Sequence, residues 1–297
     1  MKVTKINTDE TLRELICHGT PGFQFEYYID DVHAFDKGYV DWHWHDEFEW
    51  MYLKEGEARV CVGGEEILLF VGDSLFINSR ALHEIRSKNG ATLPNILFSG
   101  SFISEEFSDI YEEYVLPVIS SEREYLVFRG DDAKNKDISA QLKKTLLLCE
   151  NKEDNKLEIH AQLCLLWAEL KEKYADVFLK KKSRADMIKR ARMQKMLTFI
   201  YENHAREISL NDIAGAAKIS KTEAIRCFTG ALGMPPVEFL IDYRLTRARA
   251  LILSGGAGVL QAALLCGFNN VSYFIRAFKK KYSVTPGKLK PVKNLRL

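Results

Sequence analysis

The sequence predicts an α+β multidomain chain in three parts: a β-barrel or jelly roll over residues 1–101, a helical connecting segment over 102–186 and an all-α domain over 187–297. Three observations carry this. Short apolar runs alternate with turn signals from about residue 22 to 100. Apolar residues beyond them fall at helical spacing. Charge divides the same way: from Asp186 onward 19 Lys+Arg stand against 7 Asp+Glu, a net +12, whereas the remainder carries −11 and the whole chain +1. A length of 297 residues suits two or three domains, and 46% hydrophobic with 28% charged residues is the mix of an ordinary globular protein.

The β part reads as "FQFEYYI", "FEWMYL", "ARVCV", "EILLF", "GDSLFIN" and "NILF". "VCVGGEEILLF" predicts a hairpin turning at Gly63-Gly64, because a two-residue turn needs positive φ at both central positions. Many short strands at this spacing predict a barrel or jelly roll. Such a fold encloses a pocket, a natural small-molecule site. In "DWHWHDEFEW" (41–50) two histidines stand two apart and a glutamate follows, a spacing that metal enzymes often use. His43 and His45 share one face of a strand. Glu49 would lie ~13 Å from His45 along a straight strand. It meets the histidines only if the chain bends at Asp46-Glu47. Trp42, Trp44, Phe48, Trp50 and Tyr52 take the opposite parity, as barrel core, as an interface or as a platform for a sugar ring.

In the middle part, "RGDDAKNKD" (129–137) and "ENKEDNK" (150–156) read as polar loops. "ISAQLKKTLLLC" between them and "LEIHAQLCLLWAELKEKY" after them read as helices. Leu163, Leu166, Trp167, Leu170 and Tyr174 give the second helix a wide apolar face. Two partners suit that face: the rest of the same subunit, or a second copy. The charged "LKKKSRAD" (179–186) marks the boundary with the last part.

The basic last part implies a polyanionic partner. In "ISLNDIAGAAKISKTEAIRCF" (208–228), Ser209 and Asp212 predict a capped helix start, with Leu210, Ile213, Ala214 and Ala217 on one face. A turn follows at Lys218-Ile219, and Ser220 with Glu223 predicts a second capping box. Helix, tight turn, helix is the helix-turn-helix pattern, whose second helix enters a DNA major groove. On that helix Ala224, Ile225 and Phe228 are expected inward, with Lys221, Thr222, Glu223 and Arg226 outward. "VLQAALLCGFNNVSYFIRAFKKKY" (259–282) repeats the pattern. It turns at Gly267 and starts its second helix near Asn270. Ser272, Tyr273 and Arg276 face forward, Phe274 and Phe278 inward. Lys279, Lys280 and Lys281 at its end suit both the helix dipole and phosphates. "PPVEFLIDYRLTRARALIL" (235–253) predicts a connecting helix begun by its prolines. Val237, Leu240, Ile241, Leu245 and Ala248 form its apolar stripe, with Arg244, Arg247 and Arg249 on or beside the polar face. Such a helix would set two recognition helices one DNA turn, roughly 34 Å, apart.

Residues 190–290 resemble the DNA-binding domain of the AraC/XylS family of bacterial transcription regulators. The resemblance rests on "ISLNDIAGAAKIS", "F-x-x-x-L-G-M-P-P-x-E-F-L" (228–240), "RLTRARALI" and "GFNNVSYFIRAFKKKYSVTPGKLK" (267–290). It implies a seven-helix domain with two helix-turn-helix units binding double-stranded DNA. The base-reading positions it implies are Lys221, Thr222 and Arg226 in the first unit and Asn270, Ser272, Tyr273 and Arg276 in the second, with Lys280 on phosphate. The chain departs from the family at Gly255, Gly256 and Gly258, where polar capping residues are usual. It departs again at Leu260 and Leu265, where polar residues are common, and at Ser283, where a helix-ending glycine is usual.

"G-x4-HWHDEFEWMYLKEG" (38–56) with "VGDSLFINSRALHEI" (71–85) resembles the cupin barrel. What the cupin resemblance implies is a centre of His43, His45, Glu49 and His83, holding a small-molecule effector directly or a divalent metal that helps to hold it. Three imidazoles and a carboxylate suit Zn, Fe, Ni or Mn. On a distant strand, His83 would have to fold across the barrel. The two resemblances together imply a regulator, with activation the commoner behaviour, working as a homodimer with RNA polymerase and responding to a carbohydrate or other metabolite. No cofactor is required by this reading and no catalytic residue is expected. Two rivals stay open: a metal-dependent cupin enzyme fused to a DNA-binding domain, and an effector-independent regulator. The six cysteines form no C-x-x-C pair, the start lacks a signal peptide's apolar stretch, and no 18-residue apolar run occurs, so a cytoplasmic protein with reduced thiols and no membrane contact is expected.

Overall fold

The computed structural model describes residues 5–9, 11–35, 38–150, 155–181 and 183–289. Most of the loop expected at 150–156, part of the charged stretch at 179–186 and the end of the last motif, Lys290, lie outside them. The chain divides into two compact units, Met1–Lys189 and Arg190–Leu297.

Nine strands build the first unit: β1 (Phe25–Asp31), β2 (Val40–His43), β3 (Phe48–Tyr52), β4 (Glu55–Val62), β5 (Glu65–Phe70), β6 (Ser74–Ile77), β7 (His83–Arg86), β8 (Ala91–Phe98) and β9 (Tyr125–Phe128). All their pairings are antiparallel, in the order β2-β7-β4-β8-β3-β6-β9, with β1 on β8 and β5 on β4. β4 turns the corner: Glu55 and Gly56 pair with β8, whereas Arg59–Val62 pair with β7. The hairpin of β4 and β5 closes at Gly63-Gly64, both at positive φ, as their sequence requires.

Strand alternation gives this sheet two apolar faces. Met51, Leu53, Val60, Leu69, Leu75, Ile77 and Leu93 fill the barrel interior. Phe48, Trp50, Phe76, Ile96 and Phe98 form the outer face. That face is covered by helices. After the short turns α1 (Gly100–Ile103) and α2 (Leu116–Ser120), α3 (Lys136–Glu150) and α4 (Lys156–Tyr174) pack together on the sheet. Leu163, Leu166, Trp167 and Leu170 of α4 are buried in this layer, and the Trp167 ring lies 4.8 Å from that of Phe48. The wide face of α4 is thus buried within its own subunit.

Residues 102–186 therefore differ from the separate connector expected of them. Their described helices, up to Phe178, form the second layer of the first unit's core. β9 lies in the stretch expected to be helical, yet it pairs with β6 and extends the barrel sheet. Four apolar residues, "YLVF", carry no period that separates strand from helix. The division between units falls inside α5 (Arg184–Asn203), beyond the boundary expected at 186.

The second unit continues with α6 (Leu210–Ala216), α7 (Lys221–Leu232), α8 (Pro236–Leu253), α9 (Val259–Leu265) and α10 (Val271–Tyr282), and a 3-10 turn at Pro286–Lys288. These are six α-helices among the described residues, where the resemblance implies seven. Leu245, Ala248, Ile252, Ala262, Phe268, Phe274 and Phe278 make a core between α8, α9 and α10. Arg244, expected at or beside the polar face of α8, is buried instead: its Nε donates to His204 O at 2.7 Å and its Nη2 to Arg206 O at 2.7 Å. The guanidinium satisfies backbone carbonyls just past the end of α5, which burial would otherwise leave unpaired. Among the described residues no single helix is long and apolar enough to cross a membrane.

Candidate functional site

Four side chains converge inside the barrel. The chain bends at Asp46-Glu47, between β2 and β3, as the sequence requires. Two arginines hold the bend: the Asp46 carboxylate accepts from Arg80 Nε at 2.5 Å and from Arg13 Nη2 at 2.6 Å. Arg80 N–H donates to His45 O at 2.8 Å, and Ser79 Oγ donates to Asp46 O at 2.7 Å. Glu49 of β3 thereby returns to His45, whose Nε2 lies 3.3 Å from Glu49 Oε2. His83 does not cross the barrel as expected. β7 is the direct neighbour of β2, and His43 and His83 are register partners. One ligand atom from each of His43, His45, Glu49 and His83 lies within 4.8 Å of the others, and all four residues are buried.

Each imidazole is oriented from behind. Nδ1 of His43 lies 2.8 Å from Asp41 O, that of His45 3.2 Å from Glu47 O and that of His83 2.9 Å from Ala81 O. A backbone carbonyl only accepts, so each Nδ1 is the protonated nitrogen. In the neutral ring the Nε2 lone pair then faces the centre. His83 Nε2 is 3.0 Å from Glu49 Oε2, but off the ring's N–H line, and has no hydrogen-bond partner among the described residues. Burial, and then the neighbouring His83, pushes the His43 imidazole down to about 3, so it is neutral at physiological pH. Burial alone would raise the Glu49 carboxyl; a hydrogen bond from His45 and the charges of His45 and His83 in their protonated forms outweigh it and hold Glu49 far below the usual carboxylate range. The same pairing outweighs burial at His83 and raises its imidazole. Inward lone pairs, an ionised carboxylate and an orphaned buried nitrogen form a donor set that fits a divalent transition metal.

A second polar wall adjoins the four and was not legible in the sequence. Residues 11–14 run beside Trp44: Glu14 N–H donates to Trp44 O at 2.9 Å and Trp44 Nε1 to Thr11 O at 2.8 Å. This strap brings in Glu14 and His18, which pair at 3.2 Å, with His18 Nδ1 at 3.1 Å from Tyr28 Oη. The His18 ring meets that of His45 edge-on, with centroids 5.5 Å apart. Farther along the wall, Asn95 Nδ2 donates to Asp30 Oδ2 at 2.6 Å, and Asn95 Oδ1 has no hydrogen-bond partner among the described residues. Burial pushes the Asp30 carboxyl up to about 7. The cavity between the two walls measures about 30 Å³, room for one or two waters. Of the five aromatics, Trp42, Phe48 and Trp50 are buried as core, whereas Trp44 and Tyr52 are partly exposed.

In the second unit α6 and α7 form the first helix-turn-helix. Ser209 and Asp212 make the expected capping box. At α7 only half of the expected box forms: Ser220 Oγ accepts from Glu223 N–H, but the Glu223 carboxylate turns to Arg226 and Arg192. Two guanidinium groups outcompete one backbone N–H for a carboxylate. Lys221, Thr222 and Arg226 are exposed, as expected. Ile225, expected inward, is exposed too, and Cys227 takes its place beside Ala224 and Phe228. Position 225 lies a further 100° round the helix from 224, beyond the buried stripe.

α9 and α10 form the second helix-turn-helix. Its tight turn needs Gly267, at φ +80, where a Cβ would come within 2.4 Å of His204 O. Asn270 caps α10 through Tyr273 N–H at 2.9 Å. Ser272, Tyr273, Arg276 and Lys280 are exposed, and Phe274 and Phe278 are fully buried. Lys281 is not available for phosphate as expected, because its Nζ is held by Asp242 Oδ2 at 2.6 Å and Thr246 Oγ1 at 2.7 Å on α8. Gly258 starts α9 without a side-chain cap, and Ser283 ends α10 in the left-handed region at φ 59. Leu260, Leu264 and Leu265 are exposed on α9.

Segments of both units match known protein families. Residues 213–290 match the family described as a helix-turn-helix domain, and residues 34–93 match the cupin domain. The uncharacterized HTH-type transcriptional regulator YdeC of Bacillus subtilis is 31% identical over 280 residues, 94% of this chain and 95% of its own length. The chain belongs to the AraC/XylS family of transcription regulators. Other relatives include the transcriptional activator RhaS of an Enterobacter species, 22% identical over 84% of this chain and 86% of that protein. The melibiose operon regulatory protein of Escherichia coli is 28% identical over 32% of this chain and 31% of its own. Among solved structures, ToxT of Vibrio cholerae superposes with a TM-score of 0.42 at 16% identity, over 89% of this chain and 97% of that one. As a family member the protein is a DNA-binding transcription regulator with an N-terminal cupin domain and a C-terminal helix-turn-helix region.

Proposed function

We propose that this AraC-type regulator senses a small polar effector in its cupin barrel and passes the signal to DNA read by α7 and α10. The observation that carries the sensing half is the buried convergence of His43, His45, Glu49 and His83, with each Nδ1 turned outward to a backbone carbonyl. Those four residues would hold a divalent transition metal, whose Lewis acidity would help to grip an effector, or would hold the effector directly. Glu14, His18, Tyr28, Asp30 and Asn95 contact the rest of the effector.

On the DNA side, Lys221, Thr222 and Arg226 read one major-groove segment and Asn270, Ser272, Tyr273 and Arg276 the next, with Lys280 on phosphate. The protein works in the cytoplasm as a homodimer, and activates transcription through RNA polymerase. Effector binding shifts a pre-existing equilibrium between DNA-binding arrangements. The barrel is a sensor rather than an enzyme, in keeping with relatives named as regulators.

The test is a thermal-shift screen of metals and then of small metabolites against the metal-loaded chain, because a ligand specific to the native state raises apparent stability. A hit is followed by operator binding with and without it. Turnover of the hit, rather than changed operator affinity, would overturn the sensor reading.

A further inference from the structure

The first recognition helix carries an acidic residue that the base-reading set omits. Glu223 Oε2 accepts from Arg226 Nε at 2.9 Å, and its Oε1 accepts from Arg226 Nη2 at 2.9 Å. This occupies one edge of the guanidinium fork. The same Oε1 accepts from Arg192 Nη1 of α5 at 3.3 Å and lies 3.7 Å from Cys227 Sγ. The carboxylate is therefore held from a second helix as well as from its own, which a lone i,i+3 surface pair is not. The Arg226 side chain stays 69% exposed, and Nη1 has no partner among the described residues.

A guanidinium has two edges able to make paired hydrogen bonds. With the Nε–Nη2 edge on Glu223, the Nη1–Nη2 edge is left pointing away. That edge has the geometry to grip guanine O6 and N7. We infer that Glu223 is a positioning residue for DNA readout: it fixes the Arg226 fork so that the open edge meets a guanine, and thereby sets base preference at that position. This rests on the reading of α7 as a recognition helix. Glu223 adds a negative charge near the phosphates, so it weakens non-specific binding while sharpening specific binding. Freezing a long side chain before binding removes an entropy cost that the complex would otherwise bear.

The experiment uses the full chain and an operator duplex recovered by selection from a random-sequence library. The guanine facing Arg226 is located as the position where Arg226→Ala loses base preference, and is then replaced by each other base. Glu223→Ala should cut the preference for guanine there about 2- to 10-fold, the range expected for loss of one side chain's preorganisation. Binding to a random duplex should hold or tighten. Glu223→Gln, which keeps the shape and one acceptor, should fall between. In the Arg226→Ala background, Glu223→Ala should cost no further base preference. Circular dichroism of each variant confirms the helix. Unchanged guanine preference in a folded Glu223→Ala would overturn the inference. So would a loss at an adjacent cytosine instead, since Glu223 would then read a base directly. If Arg226→Ala keeps every preference, the recognition-helix reading itself falls, and the inference with it.

Discussion

His83 Nε2 stands 3.0 Å from Glu49 Oε2 while His83 Nδ1 is already committed to Ala81 O at 2.9 Å. Two buried acceptors that close repel each other unless a proton or a metal lies between them. The expected outcome is about one divalent transition metal per chain when the protein is purified without chelator, measured by elemental analysis. His83→Ala, or Glu49→Gln, should remove it. At about 100-fold saturation the metal should stabilise the first unit by about 2.7 kcal/mol, seen as a drop in Tm on chelation. A protein that never retains metal and shows no chelator effect would leave the centre to direct effector binding.

Asp30 gives the metal-free first unit a pH dependence of known sign. Burial raises its carboxyl to about 7 from a usual value of 3.8. Between these values the folded state holds a proton that the unfolded state has released. Stability from this group is complete below the unfolded value and is lost as pH rises through about 7, at up to about 1.4 kcal/mol per pH unit. Asp30→Asn cannot ionise. Its stability relative to the natural chain should be greatest above pH 7 and shrink towards pH 4. Urea titrations of both proteins in chelator across that range check this.

Trp167 decides whether the helical layer folds with the barrel. Its ring packs against Phe48, Phe76 and Phe98, and its Nε1 donates to Tyr114 O at 3.1 Å. Trp167→Ala should destabilise the first unit by about 3–5 kcal/mol. The barrel strands and the helices should melt together, since they share one core. Separate transitions would show that residues 102–186 fold as a connector after all.

Much of this architecture was legible because period and turn chemistry agree locally. Gly63-Gly64, the box at Ser209 and the Phe274–Phe278 pair each specify their own conformation within a few residues. The resemblance of two motifs to the cupin barrel named the four converging groups, and the polar bend in the first was required by distance alone. Legibility failed where a side chain's fate depends on distant chain. Arg244 and Lys281 look like surface cations by composition, yet each answers buried or partly buried oxygens nearly 40 residues away in sequence. Glu14 and His18 lie in an irregular strap with no periodicity to mark them. The apolar face of α4 admits two partners on sequence grounds, and only the outer face of the sheet shows which one is used.

Ser283 offers a gain in stability. It ends α10 at φ 59, a region that costs an L-residue about 1–2 kcal/mol, whereas glycine adopts it freely. Glycine also loses more entropy on folding, which offsets part of the gain. Ser283→Gly should therefore stabilise the second unit by about 0.5–1 kcal/mol, read from urea unfolding, with DNA binding unchanged.

Arg276 and Lys280 should separate base reading from phosphate contact on one helix. Both are exposed on α10, one turn apart, while Phe274 and Phe278 hold that helix to α8 and α9 from the other side. Arg276 follows the N-terminal turn that the Asn270 cap presents, where side chains reach base edges. Arg276→Ala should cost about 1–3 kcal/mol on the selected operator and relax preference at one base position. Lys280 lies nearer the C-terminal end, and as a proposed phosphate contact its charge would add to counterion release without reading a base. Lys280→Ala should weaken binding to every duplex alike and reduce the slope of log K against log salt by about 1. Titrations of both variants at several salt concentrations, on operator and random duplex, give the two slopes and the specificity ratio together. If Lys280→Ala changed base preference, or Arg276→Ala changed only the slope, the orientation of α10 in the groove would have to be reversed.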